Sequence, residues 1–164
     1  MATTKTNDRI HLLLQVVEQA FSRKAWHGVT LRGALRGLDL DRALFKPQPE
    51  RHSTWELILH TAYWKYIVRR RLTGDKSLVF PRSPSNWPAL RERPTIRALK
   101  ADIAFLQEQH DLMTKAMECF PPYRLNRRAR ESKWTFAEHI HGIAAHDLYH
   151  AGQIQLLKRL HADS

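Results

Sequence analysis

The sequence has little of what staples or anchors a chain. Its single cysteine, Cys119, excludes an intramolecular disulfide framework and any Cys-based zinc finger. No segment approaches the roughly 18 uncharged apolar residues of a membrane-spanning helix. Residues 1–7 are polar and lack the apolar stretch of a secretory leader, so a cytoplasmic location is expected. Glycine is scarce, with six residues, and strict apolar/polar alternation is rare, which argues for helix over sheet. Acidic residues are few as well. Asp plus Glu is 16 against 27 Lys plus Arg, a formal net charge of +11. No Ser-His-Asp order and no glycine-rich phosphate loop stands out.

What is there is helical spacing over a chain of 164 residues, enough for one domain with its own core. The first helix is expected from about Asp8 to Trp26, capped by Asn7 or Asp8, with Ile10, Leu13, Leu14, Val17 and Phe21 as its stripe and His27-Gly28 as its stop. Residues 1–7 are read as a flexible tail and residues 8–161 as the domain. Short helical turns follow at Thr30 to Leu38 and Asp39 to Leu44. The second long helix runs from about Ser53 to Leu72, with a capped start and Arg69, Arg70 and Arg71 near its end. Pro81, Pro84, Pro88 and Pro94 forbid regular helix over residues 75–94 and make a long crossover loop. The third helix starts at Pro94 or Thr95 and carries Ile96, Leu99, Ile103, Leu106, His110, Met113 and Met117 on one stripe. An arginine-rich loop leads to the fourth, about Thr135 to Leu160. Four long helices with long connections read as an all-α four-helix bundle.

The ten histidines have to be sorted by position. His146 and His150 are spaced i, i+4, so both imidazoles leave one helix face a turn apart and can reach one metal ion. Asp147-Leu148-Tyr149 lie between them, so the pattern is not H-E-x-x-H and the zincin mechanism is not indicated. His60 lies mid-way along the second helix. If that helix lies beside the fourth, His60, His146 and His150 supply three nitrogen ligands with coordination positions left open. Zinc or nickel fits best, with iron, cobalt and manganese compatible. His110, on the apolar stripe of the third helix, reads as a buried partner of a polar atom, with a fourth metal ligand or a group supporting the site as the alternatives. His139 and His141 precede the site by one or two turns, and His11, His27, His52 and His161 read as surface or helix-end residues. Tyr63 and Trp64 read as core, with pocket lining as the alternative. Glu56 and Asp147 either orient an imidazole or pair with a surface Arg. Cys119 reads as a packed thiol.

Three blocks resemble the DinB-like superfamily of metal-dependent helical bundles: Ala25-Trp26-His27-Gly28 with Leu31 to Leu35, His52 to His60 with Trp64-Lys65, and His141 to Ile154. The last is the most specific, an H-x-x-x-H-x-G-Q-I run. The resemblance implies an up-down-down-up bundle, a divalent metal on His60, His146 and His150, and a homodimer. It also implies relatives that include thiol-dependent S-transferases and isomerases using bacillithiol, mycothiol or glutathione. The expected partner is then a small molecule, a low-molecular-weight thiol among the candidates. The same ligands would serve a hydrolase. The other class left open is a basic nucleic-acid-binding or regulatory protein with a structural metal. The basic clusters, however, sit at helix ends and in loops and not on a recognition helix, so nucleic acid is not the expected partner.

Overall fold

The computed structural model describes residues 2–163, with side chains from residue 8 onward. Four long helices, α1 (Ala2–Phe21), α4 (Thr54–Thr73), α5 (Ile96–Glu118) and α6 (Phe136–Ala162), pack as a bundle. Two short helices, α2 (Leu31–Ala34) and α3 (Leu40–Leu44), lie between α1 and α4. A 3-10 turn, Pro122–Arg124, precedes α6. No strand occurs among the described residues beyond one isolated bridge, Arg128 to Thr135.

Most helix starts are where the caps place them. Ser53 accepts from the Glu56 amide while the Glu56 carboxylate accepts from the Ser53 amide, and Thr135 with Glu138 repeats this reciprocal pair ahead of α6. Thr30, Asp39 and Thr95 cap α2, α3 and α5. Gly74, at φ 70°, closes α4 in the left-handed conformation that a side chain resists. The first helix departs from expectation at both ends. It begins at Ala2, ahead of the Asn7 or Asp8 cap, because nothing before those residues breaks a helix. It stops at Phe21, short of His27-Gly28. The side chains of residues 1–7, read as a flexible tail, lie outside the described ones.

Packing fixes the helix directions. One apolar cluster joins Phe21 at the end of α1, Leu57 to Leu59 early in α4, Leu99 and Leu106 early in α5, and Ile154 and Leu157 late in α6. The other joins Ile10 and Val17 of α1, Val68 and Leu72 late in α4, Met113 and Met117 late in α5, and Ile140 and Ile143 early in α6. So α1 and α6 run one way and α4 and α5 the other: up-down-down-up. Parallel α4 and α5 demand a connection that returns along the bundle, and a 20-residue helix is about 30 Å long. The proline-rich crossover spans that length.

α4 is the central helix. Leu57 to Ala62 are buried without interruption, as are Lys65, Tyr66 and Val68. That is why its apolar stripe is blurred in the sequence: nearly every face is covered.

Candidate metal centre

The antiparallel pairing of α4 and α6 brings His60 opposite His146 and His150. The three Nε2 atoms face one another: His146 Nε2 lies 3.2 Å from that of His60 and 3.0 Å from that of His150. One nitrogen from each ring lies within 4.8 Å of the other two, and no carboxylate or thiol joins them among the described residues.

Two of the rings are oriented from behind. His60 Nδ1–H donates to the Asn86 carbonyl at 2.8 Å. His150 Nδ1–H donates to Gln153 Oε1 at 2.6 Å, and the Gln153 amide donates to the Tyr149 hydroxyl at 3.1 Å. A proton held on Nδ1 leaves a lone pair on Nε2, so His60 and His150 both aim lone pairs at His146. His146 Nε2 carries at most one proton and can satisfy at most one neighbour. Double protonation is disfavoured. Burial lowers His60, and burial with the neighbouring histidines lowers His146 to about 3. Burial also takes His150 to about 4. Three neutral imidazoles aiming nitrogen at one point are a donor set suited to a divalent cation, and the outer hydrogen bonds are those that tune such ligands. The residues present therefore fit a metal; its identity is a separate matter.

The centre opens into a cavity of about 760 Å³. His60, His146 and His150 line it with Trp64 and Trp87. Leu156, Leu157 and Leu160, about two to three turns further along α6 than His150, add an apolar stretch, and Glu50 and Arg51 add charge to the wall. Trp87 comes from the crossover loop and is sandwiched between His60 (3.8 Å between ring centres) and His52 (3.5 Å).

His110 is buried but apart from the cluster. It stacks on Phe21 at 3.7 Å, and Nε2 donates to Glu18 at 3.1 Å, as a buried partner of a polar atom should. Glu56 does not orient His60; its carboxylate is taken by the α4 cap and by Lys46 at 2.9 Å. Asp147 does not touch an imidazole or a surface Arg. It meets Lys65 at 2.5 Å with both side chains fully buried. Tyr63 packs on Phe80 and Tyr66, away from the centre, but Trp64 lines the cavity. His139 is buried beside Arg71 and Ser132. Cys119 is exposed, not packed, because Met113, Met117 and Phe120 take the inward positions around it. His52, read as a helix-end residue, is in fact part of the cavity wall.

Two features escaped sequence reasoning. Lys65 stood out only as part of the block that resembles the superfamily, with nothing to mark it as buried, and burying it depends on a carboxylate 82 positions away. Asn86 and Trp87 sit among prolines in a stretch without periodicity, and only the folded crossover places them against His60.

The DinB superfamily matches the chain over residues 25–154. The match spans all three histidines and ends at Ile154, the last residue of the H-x-x-x-H-x-G-Q-I run. No curated protein and no solved structure matches the chain.

Proposed function

The chain belongs to the DinB superfamily, and from that premise we propose that it is a metal-dependent enzyme, with His60, His146 and His150 as ligands and a low-molecular-weight thiol as one substrate. One observation carries the reading: three lone-pair nitrogens converge on the wall of an open cavity large enough for a small molecule. A structural site would be closed by a fourth protein ligand, and none joins it among the described residues. When bound, a divalent ion supplies Lewis acidity that stabilises a thiolate at neutral pH.

The chain's own residues do the rest. Asn86 and Gln153 hold the tautomers of His60 and His150. Trp87 stacks on one face of His60, and Trp64 stands edge-on to His60 and tilted toward His146, so the two indoles wall the cavity beside the histidines. The Leu156, Leu157 and Leu160 stretch receives an apolar group. The same three rings would serve a hydrolase, with Glu50 of the cavity wall as the carboxylate available to act as its base. The thiol reading follows the thiol-dependent relatives that the superfamily resemblance implies. The expected assembly is a homodimer, and nucleic acid is not an expected partner.

Two measurements test this. Tag-free protein should carry about one divalent ion per chain. His60→Ala and His146→Ala should each lose it while keeping the wild-type helical spectrum; full metal in both variants would sink the centre. Metal-loaded protein should conjugate one of bacillithiol, mycothiol, glutathione or cysteine to an apolar electrophile such as an aryl halide. Silence across that panel, with metal bound, would remove the transferase reading and leave the metal centre standing.

A further inference from the structure

A second cavity, of about 490 Å³, lies on the other side of Trp64 and His146, which line both. Its walls are apolar and aromatic: Trp64, Val68, Ile143 and Trp134. Trp134 is half exposed at this cavity, and Lys133 lies over its ring, 5.0 Å from the centre. Arg71 also lines it and is the telling residue. It is half-buried near the end of α4, and burial works against its charge. No carboxylate pairs with it among the described residues. Its Nη1 meets only the His139 ring, 3.1 Å from Nδ1 and 3.2 Å from Nε2. That ring is neutral, lowered to about 4 by burial and by Arg71 itself. Glu138 lines the same cavity, but its carboxylate accepts from the Thr135 amide at 2.6 Å and hydroxyl at 2.7 Å as part of the α6 cap. It leaves Arg71 without a counter-charge. His141 supplies a further polar edge.

Arg71 also borders a smaller cavity with Asp75 and Glu131, neither of which pairs with it. A half-buried, unpaired guanidinium at the edge of an aromatic-lined cavity matches one ligand chemistry: a carboxylate on a flat, apolar body. We propose that this cavity binds a small aromatic or apolar carboxylate, its acid group on Arg71 and its body between Trp64 and Trp134. Because His146 separates the two cavities, such a ligand lies against the metal centre. Its role as a co-substrate rests on the reading of that centre as catalytic; the binding itself does not.

The test uses 3-phenylpropionate and its uncharged amide as probes, titrated against the full chain, both metal-loaded and chelator-treated, by calorimetry and ligand-observed NMR. The carboxylate should bind about 10- to 100-fold more tightly than the amide, the range for a charge-assisted hydrogen-bonded pair. Metal removal should leave this preference intact, so that failure of the metal centre and failure of this cavity give different results. Arg71→Gln should erase the preference, Arg71→Lys should keep part of it, and Trp134→Ala, at an exposed position, should weaken both probes. The proposal is overturned by equal binding of acid and amide, by no binding of either, or by unchanged affinity in folded Arg71→Gln or in Trp134→Ala. Carboxylate binding that vanishes with the metal would place the ligand on the cation and overturn it equally. If Arg71→Gln does not fold, the acid-against-amide comparison on the wild-type chain still decides.

Discussion

Single side chains in this protein act through what holds them. Gln153 illustrates this at the centre. It touches no proposed ligand position, yet its Oε1 fixes which His150 nitrogen carries the proton. Gln153→Ala should weaken zinc or nickel affinity about 10- to 100-fold with little change in melting temperature. An unchanged affinity in a competition titration would show that the hydrogen bond does not set the tautomer. Lys65 and Asp147 are a different case. Burial pushes Lys65 down and Asp147 up, and each opposes the shift in the other. Removing one partner strands a buried charge. Lys65→Met should therefore cost about 3–5 kcal/mol in urea unfolding, while the double change Lys65→Met with Asp147→Leu should recover most of it. A double variant as unstable as the single would mean that packing, not charge, is what the pair supplies.

At the scale of elements, the crossover between α4 and α5 is more than a connector. The Tyr66 hydroxyl donates to the Leu78 carbonyl at 2.7 Å, Phe80 is buried, and Arg82 pairs with Asp102, which also accepts from the Trp55 indole at 2.9 Å. Those ties carry the chain to Asn86 and Trp87, which hold His60 from behind and across its face. The loop is thus a strap over one of the three clustered histidines. Trp87→Ala should lower metal affinity by loosening His60, while a capping change such as Ser53→Ala should cost about 1 kcal/mol of stability and leave affinity nearly unchanged. Metal titrations and melts on the two variants separate these effects. Equal loss of affinity in both would mean that α4 as a whole, not the strap, positions His60.

Over the whole molecule, buried neutral histidines tie stability to pH. His110 is lowered from 6.5 to about 2 by burial and the Lys65 ammonium, and His139 to about 4. For such bases the unfolded chain takes up protons first. The stability they leave is complete above 6.5 and is lost as pH falls from there toward 4 for His139 and 2 for His110. His110 alone should remove about 2 kcal/mol by pH 5. It faces Glu18, Lys65 and Phe21, so His110→Phe keeps the ring stack while removing the titration. Urea melts between pH 8 and pH 5 should show a shallower slope in that variant than in the wild type, and parallel slopes would assign the acid loss elsewhere.

Most helix starts and the shared face of His146 and His150 could be read along the chain. Caps and prolines are local chemistry, so Ser53, Thr95 and Thr135 marked helix starts that the fold keeps, and helical pitch alone put His146 and His150 on one face. For His60 the sequence set a place mid-way along α4, but not what the ring would face. That was decided by the antiparallel packing of α4 on α6, a contact between residues 86 positions apart. Tertiary structure alone also chose the fates of Glu56, Asp147 and Cys119, buried Lys65, and brought Trp87 onto His60. Helix pitch and capping act over three or four residues and can be read along a chain. Partners brought together by packing have no such spacing, and the neutral, lone-pair-facing state of the three histidines exists only once burial has removed the water around them.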